Sequence, residues 1–163
     1  MQLYCVAMTF KSTPAVAAPR GCTNLKLRQA SRLVTRHYEA FVRPTGLKNT
    51  QYSLLSHVVK LGPIGAGELA AAMQLDASTL SRNLQPLLQQ GWLQMRPGAD
   101  ARSRIIEATT AGQALRTEAQ KAWKRAQLAL NERLGPARAA ALHELLDECI
   151  ALLDSHEEEP DDE

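Results

Sequence analysis

The sequence predicts a mainly α-helical chain carrying one small β-hairpin, and three observations carry that expectation. Apolar residues recur at helical spacings of three and four along most of the 163 residues. One short segment, "WLQMR" after Gly91, alternates apolar and polar positions instead, and "RIIEAT" can return beside it after the turn-forming "PGADARS". Glycine and proline punctuate the rest, at Pro44 and Gly46, from Gly62 to Gly67, and at Gly135 and Pro136.

Residues 1–20 hold Pro14, Pro19 and the small-residue run "AVAAP", which reads as a loose arm. The first helix follows in "NLKLRQASRLVTRHYEAFV". Leu25, Leu27, Ala30, Leu33, Val34, His37, Tyr38, Phe41 and Val42 form its stripe, with Arg28, Arg32, Arg36 and Arg43 largely off it. Thr23 or Asn24 is placed to cap its start, and "RPTGL" ends it. The second helix, "TQYSLLSHVVKL", turns Leu54, Leu55, Val58 and Val59 inward, with Thr50 as the expected cap. The Gly62–Gly67 stretch reads as a turn, "ELAAAM" as a short helix, and "QLD" as a second turn.

The next helix, in "LDASTLSRNLQPLLQQGW", pairs a leucine face (Leu80, Leu84, Leu87, Leu88) with weak helix formers at its front. Pro86 sits on that face. It removes the amide that would bond the Arg82 carbonyl, so a bend or a loosened turn is expected at Arg82. The hairpin follows, and then a long helix from about Thr110 to Leu134, with Leu115, Ala119, Ala122, Trp123, Ala126 and Leu130 near one stripe. The last helix, "ARAAALHELLDECIALL", is expected to turn Leu142, Leu145, Leu146, Cys149, Ile150 and Leu153 inward. Residues 155–163 read as an acidic disordered tail.

The length suits one domain, or a small domain with appended helices, here placed at 21–154. The net charge of +2 conceals an asymmetry. Arg20 to Lys60 hold eight Lys or Arg against one acid, Glu39, whereas Gly112 to Glu163 hold six bases and twelve acids. A basic half of this kind can mark a nucleic-acid-facing side. Cys5, Cys22 and Cys149 give an odd count without CxxC or His-rich spacing, which argues against a disulfide framework and a structural zinc site. "MQLYCVAMTF" lacks the basic start of a signal peptide, and no apolar run approaches the roughly 18 residues that cross a membrane. A cytoplasmic chain with no membrane partner is expected.

Helix, helix, short helix, tight turn, helix, strand, loop, strand is the order of a winged helix-turn-helix, at about 48–109. In "GELAAAMQLDASTLSRNLQPLLQQGWL", Leu69 and Met73 supply a small core. Leu75 is buried in the turn, Asp76 caps the next helix, and Leu80 and Leu84 dock it. Its exposed first turns are left for a major groove. Ser78, Thr79 and Ser81 suit phosphate oxygens, Arg82 suits a phosphate or guanine O6 and N7, and Asn83 suits adenine. The loop between the strands forms a wing tip, where Arg102 and Arg104 suit a minor groove. Asp100 is expected to accept from an arginine and stiffen the wing.

These segments resemble the multiple antibiotic resistance regulator (MarR) family of bacterial transcription factors, from roughly Cys22 to Leu153. The resemblance rests on "TQYSLL", "GELAAAMQLDASTLSRNLQPLLQQGWL", the pair Asp100 and Arg102, and "ATTAGQAL". The last piece is similar to the family's Leu-Thr-x-x-Gly junction, with Ala108 in place of leucine and Thr109 and Gly112 retained. The resemblance implies a homodimer built from helices at about 22–43 and 110–154, reading a pseudo-palindromic operator on double-stranded DNA, most often as a repressor. The leucine stripes flanking the winged part fit that implication, because dimer burial would remove them from water.

The family implies release from DNA by a small, often anionic aromatic ligand, or by cysteine oxidation. For a ligand, Arg28, Arg32, Arg36 and His37 on the first helix and Tyr52 and His57 on the second are the candidates. For oxidation it is Cys22, where the helix dipole with Lys26 and Arg28 nearby favours thiolate. A winged-helix interaction module without DNA binding is a further alternative, which the basic first helix and Arg82, Arg102 and Arg104 oppose. Enzyme chemistry is not expected. Ser78 and Ser81 lack His and acid partners, His37, His57, His143 and His156 are scattered, and nothing has the spacing of a metal or cofactor site.

Overall fold

The computed structural model describes residues 20–98 and 104–154. The N-terminal arm up to residue 19, Asp100 and Arg102 in the loop, and the acidic tail lie outside the described residues. Helix α1 (Thr23–Val42) begins at Cys22, which caps it without a side-chain hydrogen bond. Thr23, expected as a cap with Asn24, is already inside the helix. A single 3-10 turn, Arg43–Thr45, closes α1, and the Thr45 hydroxyl donates to the Val42 carbonyl at 2.7 Å. Helix α2 (Asn49–Leu61) starts one residue before the expected cap Thr50. Its first amides find side chains instead: Lys48 N donates to Gln51 Oε1 and Asn49 N to Glu39 Oε1, both at 2.8 Å. The second of these bonds ties α2 to α1.

Strand β1 (Ile64–Gly65) falls where a plain turn is expected from sequence. Its two residues pair with Ile106 and Ile105, so its strand character comes from the partner and not from its own pattern. Helix α3 (Ala66–Ala72) follows, then the turn into α4 (Ala77–Gln89). In that turn Gln74 takes a left-handed φ of +49°. Gln74 N donates to the Ala71 carbonyl at 3.0 Å, and Leu75 N to the Ala70 carbonyl at 2.9 Å. This is the pair of bonds by which a glycine usually ends a helix, here made by a glutamine. Leu75 is half-buried against the core, not fully buried as expected. Pro86 lies inside α4, and the helix continues through it as one segment. The proline does not end the helix, and the Arg82 carbonyl has no Pro86 amide to accept from.

Strands β2 (Leu93–Pro97) and β3 (Arg104–Ala108) pair antiparallel, with Leu93 opposite Ala108 and Pro97 opposite Arg104. The sheet order is β1-β3-β2. One core joins Val42, Leu47, Tyr52, Leu54, Leu55, Val58, Leu69, Leu80, Leu84, Leu87, Leu93, Ile106 and Ala119. It thus draws on α2, α3, α4, β2 and β3 of the winged helix and on the flanking helices α1 and α5, with Ile64 of β1 packed against it. Helix α5 (Thr110–Leu134) buries Ala119, Ala122 and Ala126, small residues that let α1 lie close against it.

Helix α6 (Pro136–Asp154) departs most from the sequence expectation. Leu142, Leu145, Leu146, Cys149, Ile150 and Leu153 are exposed in the protomer, and only Ala139 is buried. Leu25, Leu27 and Leu33 on α1 are exposed as well. The periodicity correctly marks an apolar stripe, but among the described residues no element covers it.

Candidate nucleic-acid interface

Helix α4 divides sharply into two faces. Leu80, Leu84 and Leu87 are buried, whereas Ser78, Ser81 and Arg82 are exposed, and Thr79 and Asn83 are half-buried. Asp76 caps the helix as expected, and it does more. Its carboxylate accepts from Thr79 N at 2.8 Å, Thr79 Oγ1 at 2.7 Å and Ser78 Oγ at 2.6 Å. The hydroxyl bonds from Ser78 and Thr79, then the amide of Thr79, hold the Asp76 carboxyl well below the usual carboxylate range. Of the three hydroxyls assigned from sequence to phosphates, those of Ser78 and Thr79 are therefore committed to Asp76. Ser81 and Asn83 make no side-chain hydrogen bond among the described residues. Arg82 folds back one turn, donating from Nε to the Ser78 carbonyl at 3.1 Å and from Nη2 to Ser78 Oγ at 2.9 Å.

Beside α4, the hairpin carries an ionic clamp that sequence reasoning missed. Glu107 on β3 accepts from Gln94 and from Arg96 on β2. Gln94 faces Glu107 directly and Arg96 is its diagonal neighbour, so all three side chains share one face of the ladder. The Gln94 bond first, and Arg96 after it, lower the Glu107 pKa. Period-two alternation was the only available signal, since it places residues 94 and 96 on one face. Arg104 is exposed at the end of β3, opposite Pro97, and so stands at the base of the wing loop and not at its tip. Asp100 and Arg102, the other wing residues, lie outside the described segments.

The junction after the wing is tightly packed. Thr109 caps α5 by accepting from Gly112 N at 3.1 Å. Thr109 also bonds back to the α4–β2 link: its hydroxyl donates to the Gly91 carbonyl at 2.7 Å and its amide to the Trp92 carbonyl at 3.1 Å. A Cβ on Gly112 would lie 2.0 Å from the Trp92 carbonyl oxygen. The glycine permits the approach of α5 to the α4–β2 link.

The residues expected to hold a ligand fall in separate places. Tyr52 and His57 line a cavity of about 230 Å³ with Asn49, Ser53, Ser56 and Trp123. Trp123 stacks on Tyr52 at 6.2 Å between centroids and lies 6.0 Å from Tyr38. Ser56 Oγ is buried without a hydrogen-bond partner. His57 donates from Nδ1 to the Ser53 carbonyl at 2.8 Å, which leaves Nε2 free to accept when the ring is neutral. Arg28 and Arg32 line a different, open recess on α1 with Leu27 and Ser31, and Arg36 is exposed. His37 donates from Nε2 to the Ala126 carbonyl at 2.8 Å, and the Tyr38 hydroxyl donates to Gln127 Oε1. These two bonds fasten α1 to α5, and burial raises the Tyr38 phenol pKa. Cys22 is exposed at the start of α1. Among the described residues no cluster of His, Cys, Asp or Glu could hold a metal ion, and no helix is long and apolar enough to cross a membrane.

Comparisons with known proteins agree with this geometry. Residues 45–103 match the sequence model of the MarR family. The chain is 29% identical over 84 residues to the uncharacterised HTH-type transcriptional regulator YwoH of Bacillus subtilis, covering 52% of this chain and 61% of that protein's length. Among solved structures, the M. tuberculosis transcriptional regulator MosR in complex with DNA is 32% identical. The match covers 81% of this chain and 98% of MosR, with a TM-score of 0.69. A mutant of E. coli MarR complexed with operator DNA shares the fold at 21% identity, covering 77% of this chain and 91% of that one, with a TM-score of 0.72. With a relative of that identity spanned almost from end to end, and a family match across the helix-turn-helix and hairpin, the chain belongs to the MarR family.

Proposed function

We propose that this chain is a sequence-specific DNA-binding transcriptional regulator of the cytoplasm, acting as a homodimeric repressor. The observation that carries the reading is the division of α4. Its leucines lock it into the core, and its first turns present Ser78, Ser81 and Arg82 to solvent, with Arg104 exposed at the edge of the neighbouring wing. That geometry suits a major-groove helix flanked by a minor-groove or backbone contact. Asn83 sits one turn further on and half-buried, where it serves at the margin of the contact, with Thr79 beneath it as part of the cap. Arg102 and Asp100 belong to the same proposal as wing contact and wing support. MosR in complex with DNA supports the assignment by analogy.

A duplex carrying the DNA upstream of the gene should bind with an affinity that falls steeply with salt. Arg82→Ala should reduce discrimination between sequences, and Arg102→Ala should weaken binding to most sequences. Salt-insensitive or absent binding would remove the proposal in favour of a protein-interaction module. The exposed leucines of α1 and α6 support the homodimer, since a monomer would leave two long apolar stripes in water.

For release from DNA, the recess at Tyr52, His57 and Trp123 supports a small aromatic effector. Its volume is below the roughly 300–1,000 Å³ of pockets that hold drug-sized ligands, so a single ring is the fitting size. Tyr52 and Trp123 supply faces, and Ser56 and His57 supply hydrogen bonds. The guanidinium groups expected to pair a carboxylate, Arg28, Arg32 and Arg36, do not line this recess within one chain. Binding of salicylate and of its neutral amide, compared by calorimetry, reads the charge preference directly. A second reading rests on the exposure of Cys22. Peroxide should then release wild type from DNA and leave Cys22→Ser bound; equal release of both would dismiss it.

A further inference from the structure

Arg82 is exposed, yet its side chain does not trail freely in solvent. The edge of the guanidinium formed by Nε and Nη2 is occupied by the carbonyl and the hydroxyl of Ser78, at 3.1 and 2.9 Å. A guanidinium has five N–H donors in a planar fork, so three remain, and two of them lie on the outer edge formed by Nη1 and Nη2. That edge has the spacing to bond O6 and N7 of a guanine together. Ser78 can accept from Arg82 because its one hydroxyl proton is donated the other way, to Asp76 Oδ1 at 2.6 Å. Asp76 is anchored in turn by Thr79 through an amide and a hydroxyl. A chain of bonds thus runs from the cap of α4 through Ser78 to Arg82.

We propose that Ser78 is a positioning residue for base readout, holding the Arg82 guanidinium so that its outer two-nitrogen edge is presented to a guanine. This rests on the DNA-binding reading above, and it replaces the phosphate contact that the sequence suggests for Ser78. Long side chains lose rotamer freedom when they bind, and a side chain already fixed loses less. Ser78 therefore acts on sequence discrimination through Arg82, and not on affinity through the backbone.

The test uses the full chain and a duplex that it enriches from a randomised pool. Affinity for that duplex and for an unrelated duplex is measured by fluorescence anisotropy at one salt concentration, for wild type, S78A, S78T, R82A and S78A/R82A. Melting temperatures confirm that each variant is folded. The expected result is a roughly 2- to 12-fold loss of discrimination in S78A, the range carried by immobilising one flexible side chain. S78T keeps the hydroxyl and should retain discrimination, and S78A should change nothing further once Arg82 is alanine. If S78A weakens both duplexes equally and adds to R82A, Ser78 is a phosphate contact and the proposal is overturned. It is equally overturned if S78A discriminates as well as wild type. If wild type enriches no duplex, the DNA-binding reading itself falls, an outcome distinct from either of these.

Discussion

Gly112→Ala is the perturbation whose outcome is most constrained by the structure. Alanine normally stabilises a helix relative to glycine, by up to about 1 kcal/mol. Here its Cβ would stand 2.0 Å from the Trp92 carbonyl oxygen and 2.9 Å from the carbonyl carbon, both backbone atoms that cannot rotate away. To restore ordinary contact, α5 and the α4–β2 link must part by roughly 1.4 Å. That movement acts on the bonds from Thr109 to the Gly91 and Trp92 carbonyls. Losing two such bonds costs about 1–3 kcal/mol, and overpacking strain adds about 1–3 kcal/mol where the bonds do not yield. After subtracting the helix gain, a net loss of about 1–5 kcal/mol is expected, or roughly 2–20 °C in melting temperature for a chain of this size. Gly67→Ala is the matched control: it is also helical, its Cβ would meet nothing within 4 Å, and it should stabilise slightly. Melts followed by far-ultraviolet circular dichroism at fixed protein concentration compare the two. Equal stability of Gly112→Ala and wild type, or a gain in both variants, would refute the close-approach argument.

Three further outcomes follow from the same geometry. Asp76 and Glu107 have lowered pKa values in the folded chain, so each contributes stability that is complete above its unfolded value and is lost as pH falls through the folded one. Melting temperature should therefore hold from neutral pH down to the ordinary carboxylate range and decline below it, with a smaller decline in Asp76→Asn; an equal decline in both would dismiss the role of the cap. Leu145→Glu and Leu153→Glu alter side chains that are 58% and 69% exposed in the protomer. Light scattering should find monomers that keep their helical signal, and unchanged dimers would mean that α6 is not the contact. In a Trp92→Phe variant, a ring bound beside Tyr52 should change the fluorescence of the remaining Trp123, and titration with salicylamide should saturate; no change on saturable binding would place the ligand elsewhere.

The helical part of the fold is legible because glycine and proline mark its ends. The break at Gly135 and Pro136 ends α5 as expected, the helix starts at Thr110 as expected, and Leu80 and Leu84 dock α4. Strand β1 is not legible, since two residues carry no periodicity and their pairing is supplied by Ile105 and Ile106. Sequence pattern identifies the apolar stripe of α6 but says nothing of which molecule covers it. At the candidate site, the residue types on α4 were visible and their allegiances were not. Asp76 was legible as a cap, yet a carboxylate with several lone pairs also draws in the hydroxyls of Ser78 and Thr79. The ligand candidates were chosen by side-chain chemistry along two helices. Three-dimensional packing then divides them, leaving His37 bonded to a carbonyl on α5 and Tyr52 beside Trp123.

Helix α6 leans on α5 and buries only Ala139 of its nineteen residues. Within the proposed dimer, most of the free energy that keeps it docked must come from a second copy, and that contribution obeys mass action. The abundance of the protein then becomes a variable of its own stability: while its concentration exceeds the dimer's dissociation constant, each tenfold dilution removes about 1.4 kcal/mol of it. A chain that restrained its own synthesis would, under such a law, hold its level close to the point where pairing begins to fail.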